Sequence, residues 1–362
     1  MASLAERNNL VDIIRQSPPL DVAAPYDEGL VEGKTILITG GASGFGEGFF
    51  RKWADNGANV IIGDVNRERG KALVDEVRAK TGNDNHHFIY CDVTNWQSQV
   101  DFFHEAIKLS PHGGIDAVVA NAGIGDVPST FENPRNLDAD EPRPPNLKCL
   151  NVNLIGVLYT TNLALYYLPR NPGSEKASPT TVPGNSPRDR HILLIGSLSS
   201  VFPIPGQIMY GISKHAVLGL FRQLVGTTFV RGIRVNLLCP YFIDTPLLSG
   251  AARVLLAGGA MGKPEDVVDA GTRFMADSSI VGRALAVGPK VKVDKNMELV
   301  TDKAAEGTET ALFEIYAHDY VEVEAFVARI VRIINQIEGN RGWIGWIADM
   351  IRAIRYQFGK KK

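Results

Sequence analysis

The chain has 362 residues, 44% of them hydrophobic and 22% charged, enough apolar material for a large core and too much for a chain disordered throughout. Its 38 basic and 40 acidic side chains leave a formal charge of −2, so no global charge favours nucleic acid or an anionic membrane as partner. Cys91, Cys149 and Cys239 form no CxxC pair, which argues against a disulfide framework and a zinc site and predicts no metal centre.

Residues 1–30 read as a leader laid on the surface, with a short helix near Leu10–Arg15. They contain no basic segment followed by an apolar stretch, and no window reaches the roughly 20 apolar residues of a membrane span. A cytoplasmic, reducing setting is expected. From Lys34 onward, short β-branched runs alternate with segments of helical periodicity, the form of linked βαβ units. The runs are Thr35–Thr39, Val60–Gly63, His87–Cys91, Ala117–Ala120, His191–Ile195, Ile233–Leu238 and Ala284–Val287. Seven apolar strands without strict alternation predict a doubly wound parallel α/β sheet covered by helices on both faces. Residues 128–147 and 170–189 are rich in Pro, Asn, Asp and Ser and read as long surface loops. Beyond the last run, Leu312, Ile315, Tyr316, Val323, Phe326 and Val327 recur at helical spacing. The expected organisation is a leader over 1–30, an α/β domain over 31–292 and a helical extension over 293–362.

The first run passes into Thr39-Gly40-Gly41-Ala42-Ser43-Gly44-Phe45-Gly46, with a helical segment behind it. A glycine-rich turn of this kind lets backbone approach a pyrophosphate, and the helix amino end offers it free N–H groups. Any tight strand-to-helix turn also favours glycine, and Asp64 tips the reading. It lies twenty residues after Gly44, where a carboxylate reaches the adenosine ribose hydroxyls. A carboxylate there repels a 2′-phosphate, so NAD is expected over NADP, and Arg67 is read as part of a solvated helix start.

Thr39-Gly-x-x-x-Gly44-x-Gly46 resembles the cofactor motif of the short-chain dehydrogenase/reductase family, whose fold is of the Rossmann type. Cys91-Asp92-Val93 is similar to that family's adenine-contacting aspartate, and Ala120-Asn121-Ala122-Gly123 to its Asn-Asn-Ala-Gly element with Ala in first place. The resemblance covers residues 30–290 and implies cofactor contacts at Gly40, Ser43, Gly44, Phe45, Gly46, Asp64, Asp92, Val93, Asn121, Ala122 and Gly123. Cys239-Pro240-Tyr241-Phe242-Ile243-Asp244-Thr245-Pro246 resembles the family's Pro-Gly segment, with Tyr241 in place of glycine, and by that match Ile243 and Thr245 meet the cofactor. In leader, loops and cofactor choice the chain is most similar to prostaglandin dehydrogenase-like members.

Tyr210 and Lys214 stand at i and i+4, one helical turn apart on one face. Ser197 lies thirteen residues before Tyr210, just beyond His191–Ile195, at the edge where an open parallel sheet binds ligands. Taking a hydride from a carbinol carbon requires a base for the hydroxyl proton, and the ordinary tyrosine value of about 10 is too high at neutral pH. Lys214, with the cationic ring of oxidised nicotinamide, would stabilise the phenolate and would also hold the nicotinamide ribose. Ser197 would hydrogen-bond the substrate oxygen. The family adds an asparagine relay, and Asn151-Val152-Asn153-Leu154-Ile155-Gly156-Val157 selects Asn153.

Ser199, Ser200 and Ser213 read as helix-turn hydrogen bonders, because no His–Asp pair accompanies them. The pair His86-His87 reads as a solvated strand start. Residues 246–282 fall where the family places its substrate-covering helices. Leu247, Leu248, Val254, Leu255, Leu256 and Met261, with Val201, Phe202 and Ile204, describe either a hydrophobic pocket without a fixed charge partner or a plain cover for the sheet edge. The expected activity is NAD-dependent interconversion of an apolar secondary alcohol, lipid-, steroid-, polyketide- or terpenoid-like, with its ketone. The alternatives are an NADPH-dependent ketoreductase and a non-catalytic nucleotide-binding scaffold at a lipid surface. Segments Asn153–Leu168 and Tyr210–Val230 resemble the family's dimer helices, which implies a homodimer or homotetramer. Residues 341–362 carry six basic side chains against Asp349, beside an apolar stripe through Trp343, Trp346, Ile347 and Phe358. That pattern is equally the form of a docking helix and of one lying in a membrane or lipid-droplet interface.

Overall fold

The computed structural model describes residues 14–126, 131, 140–142, 144–204, 206–245, 261–294, 297–300 and 306–315, and the fold below belongs to the compact unit Ser17–Ala317. Its strands are β1 (Thr35–Thr39), β2 (Asn59–Asp64), β3 (His87–Tyr90), β4 (Ala117–Ala120), β5 (His191–Ile195), β6 (Arg234–Pro240), β7 (Ala284–Val293) and β8 (Thr308–Ile315). They form one sheet in the order β3-β2-β1-β4-β5-β6-β7-β8, parallel except for β8, which runs antiparallel to β7. The helices are α1 (Gly44–Asp55), α2 (Arg67–Thr81), α3 (Trp96–Leu109), α4 (Val157–Tyr167), α5 (Ile208–Thr228) and α6 (Pro264–Ala276).

Burial on both faces explains the unbroken apolar runs. Ile36, Ile38, Val60 and Ile62 share one core with Phe49, Phe50 and Trp53 of α1 and Phe274 of α6. The alternate residues Leu37, Ile61, Val118 and Leu194 are just as buried and point to the opposite face, where α3, α4 and α5 pack. From β1 the chain moves to β2 on one side, and from β4 to β5 on the other. The carboxyl ends of β1 and β4 therefore open a crevice at the point where strand order reverses.

Several expectations change. The seven parallel strands are joined by an eighth. Leu312 and Ile315, assigned by spacing to a helical tail, lie in β8, where pairing with β7 satisfies an edge that would otherwise stay open. Residues 316–362 of the expected tail, and most of residues 128–147, lie outside the described residues. Loop 170–189 does run as turns and coil, yet Asn171 and Asp189 at its ends are buried. Of the expected substrate cover, residues 246–260 lie outside the described residues. Its second half contains α6, which packs on α1: Trp53 Nε1 donates to Thr272 Oγ1 at 3.0 Å, and Gly271 faces Phe49. His86 is not solvated but fully buried. Its Nδ1 accepts from Val60 N at 3.3 Å, and burial, aided by Arg78 and His87, holds its pKa down at about 4.

Among the described residues no helix is long and apolar enough to cross a membrane. No group of His, Cys, Asp and Glu among them could hold a metal.

Candidate active site

A cleft of about 1000 Å³ follows the carboxyl ends of the strands. At one end lies the turn between β1 and α1. Gly40 has φ +64°, and a Cβ on it would stand 2.7 Å from Ala122 Cα; only glycine lets the turn press that closely on the loop after β4. Gly46 lies behind the wall, where a Cβ would meet Gly40 O at 2.3 Å. It is not among the residues lining the cleft, and its lack of a side chain lets α1 lie against the turn. The amino end of α1 points its partial positive charge into the cleft mouth beside Ser43 and Gly44.

Asp64 ends β2, and its carboxylate accepts from Ala42 N at 3.1 Å and Asn66 N at 2.9 Å, which aims it at the cleft. Arg67 stacks over the Tyr90 ring at 3.8 Å, and Arg69 is paired with Glu47 at 2.8 Å. Asp92, held by Thr94, and Val93 line the adjoining wall. Asn121 lines it too, while its Nδ2 donates to Thr39 O and Gly40 O at 3.0 and 2.9 Å and so binds β4 to the β1 turn. Phe45, Ala122, Gly123, Ile243 and Thr245 complete the expected set along the same cleft.

At the other end stand Ser197, Tyr210 and Lys214. Ser197 caps the short turn Leu198–Ser200 after β5. Lys214, one turn beyond Tyr210 on α5, is buried, and its Nζ donates to Ile195 O at 2.9 Å, lying 5.6 Å from the Tyr210 ring centre. Burial pulls the Lys214 ammonium down to about 8. Burial also raises the Tyr210 phenol above its ordinary value, opposed by a hydrogen bond with Ser197. Asn153 sits in a π-helical turn, Asn151–Gly156, that leads into α4; such wide turns re-aim side chains at functional sites. It is fully buried and outside the cleft lining. Its amide makes two 2.8 Å bonds with the Ile124 backbone, donating to O and accepting from N.

Two charged lining residues had no sequence signal. Asp126 Oδ2 accepts from Met209 N at 2.9 Å, tying the β4 loop to the first turn of α5 across 83 positions, a separation no local pattern reports. Lys148 also lines the cleft, so a cation and a carboxylate stand in its wall beside the apolar residues. Of the three serines read as helix-turn hydrogen bonders, Ser213 is one, donating to Tyr210 O at 2.7 Å; Ser200 donates across to Lys214 O at 2.8 Å, and the buried Ser199 Oγ has no hydrogen-bond partner among the described residues.

The residues fit a dinucleotide. A glycine cradle at a helix amino end, a carboxylate one strand away and a lysine at the far end share one continuous cleft at the topological switch point. Fold and site thus define a nucleotide-binding α/β oxidoreductase with a Ser–Tyr–Lys constellation.

The short chain dehydrogenase family profile matches residues 34–253, and the chain belongs to that family. It is 34% identical over 279 residues to 5′-hydroxyaverantin dehydrogenase of Dothistroma septosporum, covering 73% of this chain and 87% of that one. It is 30% identical over 223 residues to 15-hydroxyprostaglandin dehydrogenase [NAD(+)] of Mus musculus, covering 60% and 70%. The crystal structure of a 3-ketoacyl-(acyl-carrier-protein) reductase from Brucella melitensis complexed with NADH superimposes with a TM-score of 0.57 at 28% identity, over 71% of this chain and 97% of that one. The protein is an oxidoreductase acting on CH–OH groups with a nicotinamide cofactor.

Proposed function

We propose that this enzyme is an NAD-dependent dehydrogenase of an apolar secondary alcohol. The observation that carries the reading is the convergence of Ser197, Tyr210 and Lys214 at one end of a cleft whose other end holds Asp64. The aimed Asp64 carboxylate opposes a 2′-phosphate and supports NAD. When bound, the nicotinamide supplies the acceptor for the carbinol hydride, or its donor in reduction. Ser197 donates its hydroxyl to the substrate oxygen. Tyr210 takes the alcohol proton in oxidation and returns it to the carbonyl oxygen in reduction. Because burial raises the phenol, a positive charge must bring it down; Lys214, with a value of about 8, is mostly protonated at neutral pH and supplies it. Gly123 lies between Asn153 and Lys214, where a Cβ would stand 3.5 Å from Asn153 Oδ1 and 3.8 Å from Lys214 Nζ. The closeness of both side chains to one glycine supports Asn153 in a proton relay with Lys214.

Leu198, Ile204, Tyr241 and Phe242 line the substrate end, with the two aromatic rings edge to face at 4.9 Å, which supports an apolar, ring-bearing alcohol. The two relatives named for hydroxy compounds point the same way. A homodimer through α4 and α5 is supported by the exposed Leu158, Tyr166 and Ile212 on those helices, and is tested by sedimentation. Cytoplasmic residence with peripheral membrane contact through residues 341–362 is tested by fractionating the full chain beside one ending at Gly339; equal solubility of both overturns the contact. Tyr210→Phe should abolish NAD reduction by a panel of apolar secondary alcohols while leaving NADH binding intact. Turnover surviving that change refutes the mechanism. Fluorescence titration should show NADH binding tighter than NADPH, and the reverse order would overturn the cofactor assignment in favour of an NADPH-dependent ketoreductase.

A further inference from the structure

Ser200 is 1% exposed and does not line the cleft, yet its hydroxyl joins the two elements that do. Ser200 Oγ accepts from Ser197 N at 3.2 Å and donates to Lys214 O at 2.8 Å. A backbone N–H can only donate and a carbonyl can only accept, so the single hydroxyl proton is committed to Lys214 O and the bridge has one direction. Lys214 is then tied at both ends to the end of β5: its carbonyl through Ser200, and its ammonium directly to Ile195 O at 2.9 Å. The bridge sits in a closed space, since a Cβ on Gly196 would stand 2.9 Å from Ser200 Oγ and 3.0 Å from Cys239 Sγ.

We propose that Ser200 is a positioning residue for the reaction, setting the turn that carries Ser197 against the helix that carries Tyr210 and Lys214. The proposal rests on the Ser197–Tyr210–Lys214 reading above. Ser200→Ala keeps the side-chain volume within one oxygen atom and removes both bridge bonds, along with the hydroxyl's bond to Cys239. The turn Leu198–Ser200 is then joined to α5 by packing alone, and the Lys214 charge is held less firmly beside the phenol. The Tyr210 phenol should in consequence titrate higher, because a less well placed cation stabilises the phenolate less.

The test uses the full chain saturated with NAD. Ultraviolet difference titration against Tyr210→Phe reads the Tyr210 phenol without any substrate. Ser200→Ala should move its midpoint up by about half a pH unit or more. Where an alcohol from the panel is turned over, kcat should fall about tenfold with KM and NADH affinity unchanged. Ser200→Thr, which keeps the hydroxyl, should restore the wild-type midpoint. An unmoved midpoint in Ser200→Ala, or an equal shift in Ser200→Thr, overturns the proposal and leaves Ser200 a packing residue. Should Tyr210→Phe keep its turnover, the catalytic reading fails, and the same titration still decides whether Ser200 governs the phenol.

Discussion

Gly46 offers the sharpest test of how the cofactor cradle is built. In Gly46→Ala the new methyl would stand 2.3 Å from Gly40 O, 2.8 Å from Asn121 Nδ2 and 2.9 Å from Gly41 Cα. Ordinary carbon–oxygen contact begins near about 3.3 Å, so the turn and α1 have to separate by roughly 1 Å. Two of those three neighbours are backbone, and Asn121 is pinned by its bonds to Thr39 O and Gly40 O, so no flexible side chain can absorb the shift. Overpacking of this kind costs about 1–3 kcal/mol of stability. A displacement of about 1 Å in a preorganised site costs on the order of a hundredfold in function. NADH titration followed by protein fluorescence should therefore show affinity reduced by at least about tenfold, with a lowered melting temperature. Gly219→Ala is the control: it lies in α5, exposed, with nothing within 4 Å of the added Cβ. Better helix propensity should make it neutral to stabilising by up to about 1 kcal/mol. If Gly46→Ala bound NADH like the wild type and melted with it, the close approach of α1 to the turn would not be what shapes the cradle.

Three further outcomes follow from particular contacts. His86, buried with a pKa held at about 4, stays neutral in the fold while the unfolded chain protonates near about 6.5; stability should be complete above that pH and fall by about 3 kcal/mol on descending to pH 4. Buried His191, also held well below its ordinary value, adds to the same acid slope, so urea unfolding at stepped pH should show His86→Gln lowering the slope without abolishing it; an unchanged slope removes His86 as a source. Asp189→Asn should destabilise by roughly 3–5 kcal/mol, since burial opposes the carboxylate's charge but Arg234 and Lys34 hold its pKa well below the usual range and both would lose their partner; NADH affinity of the folded enzyme should not change. Asp126→Ala should lower kcat more than NADH affinity by releasing Met209 N, and Asp126→Asn, which keeps an acceptor, should recover most of it.

The β1, β4 and β5 ranges were legible to the residue because unbroken apolar runs bounded by glycine and polar turns have few other uses. The glycine turn, the Tyr210–Lys214 pair and Ser197, which the fold gathers along one cleft, were legible because local spacing carries them: a turn into a helix, i and i+4 on α5, a strand end. What escaped were features set by contacts across the chain. Leu312 and Ile315, three apart, fit a helix as well as a strand, and only the open edge of β7 decides between them. His86 resembles any polar strand start until Val60 N is seen to need an acceptor. Loop 170–189 has the composition of a surface loop, yet Asn171 Nδ2 donates to Asp116 Oδ1 at 2.7 Å and Asp189 N to the same carboxyl oxygen at 3.0 Å.

Those buried loop ends bear on the active site. Asp116, immediately before β4, accepts from Thr35 N at 2.8 Å where β1 begins, and Asp189 binds Lys34 at 2.8 Å and Arg234 at 2.6 Å, at the starts of β1 and β6. The strand starts are thus locked to one another at the amino edge of the sheet. β5 pairs with β6 from His191 opposite Arg234 to Ile195 opposite Leu238. A slip of one residue would break the Asp189–Arg234 pair and strand two buried charges, besides turning every strand side chain to the wrong face. It would also carry Ile195 O, and with it the Lys214 ammonium, away from its place roughly 3.3 Å along the strand. Buried charge at one edge therefore fixes strand register, and register fixes the spacing of Ser197 and Lys214 at the other edge, five strand residues away.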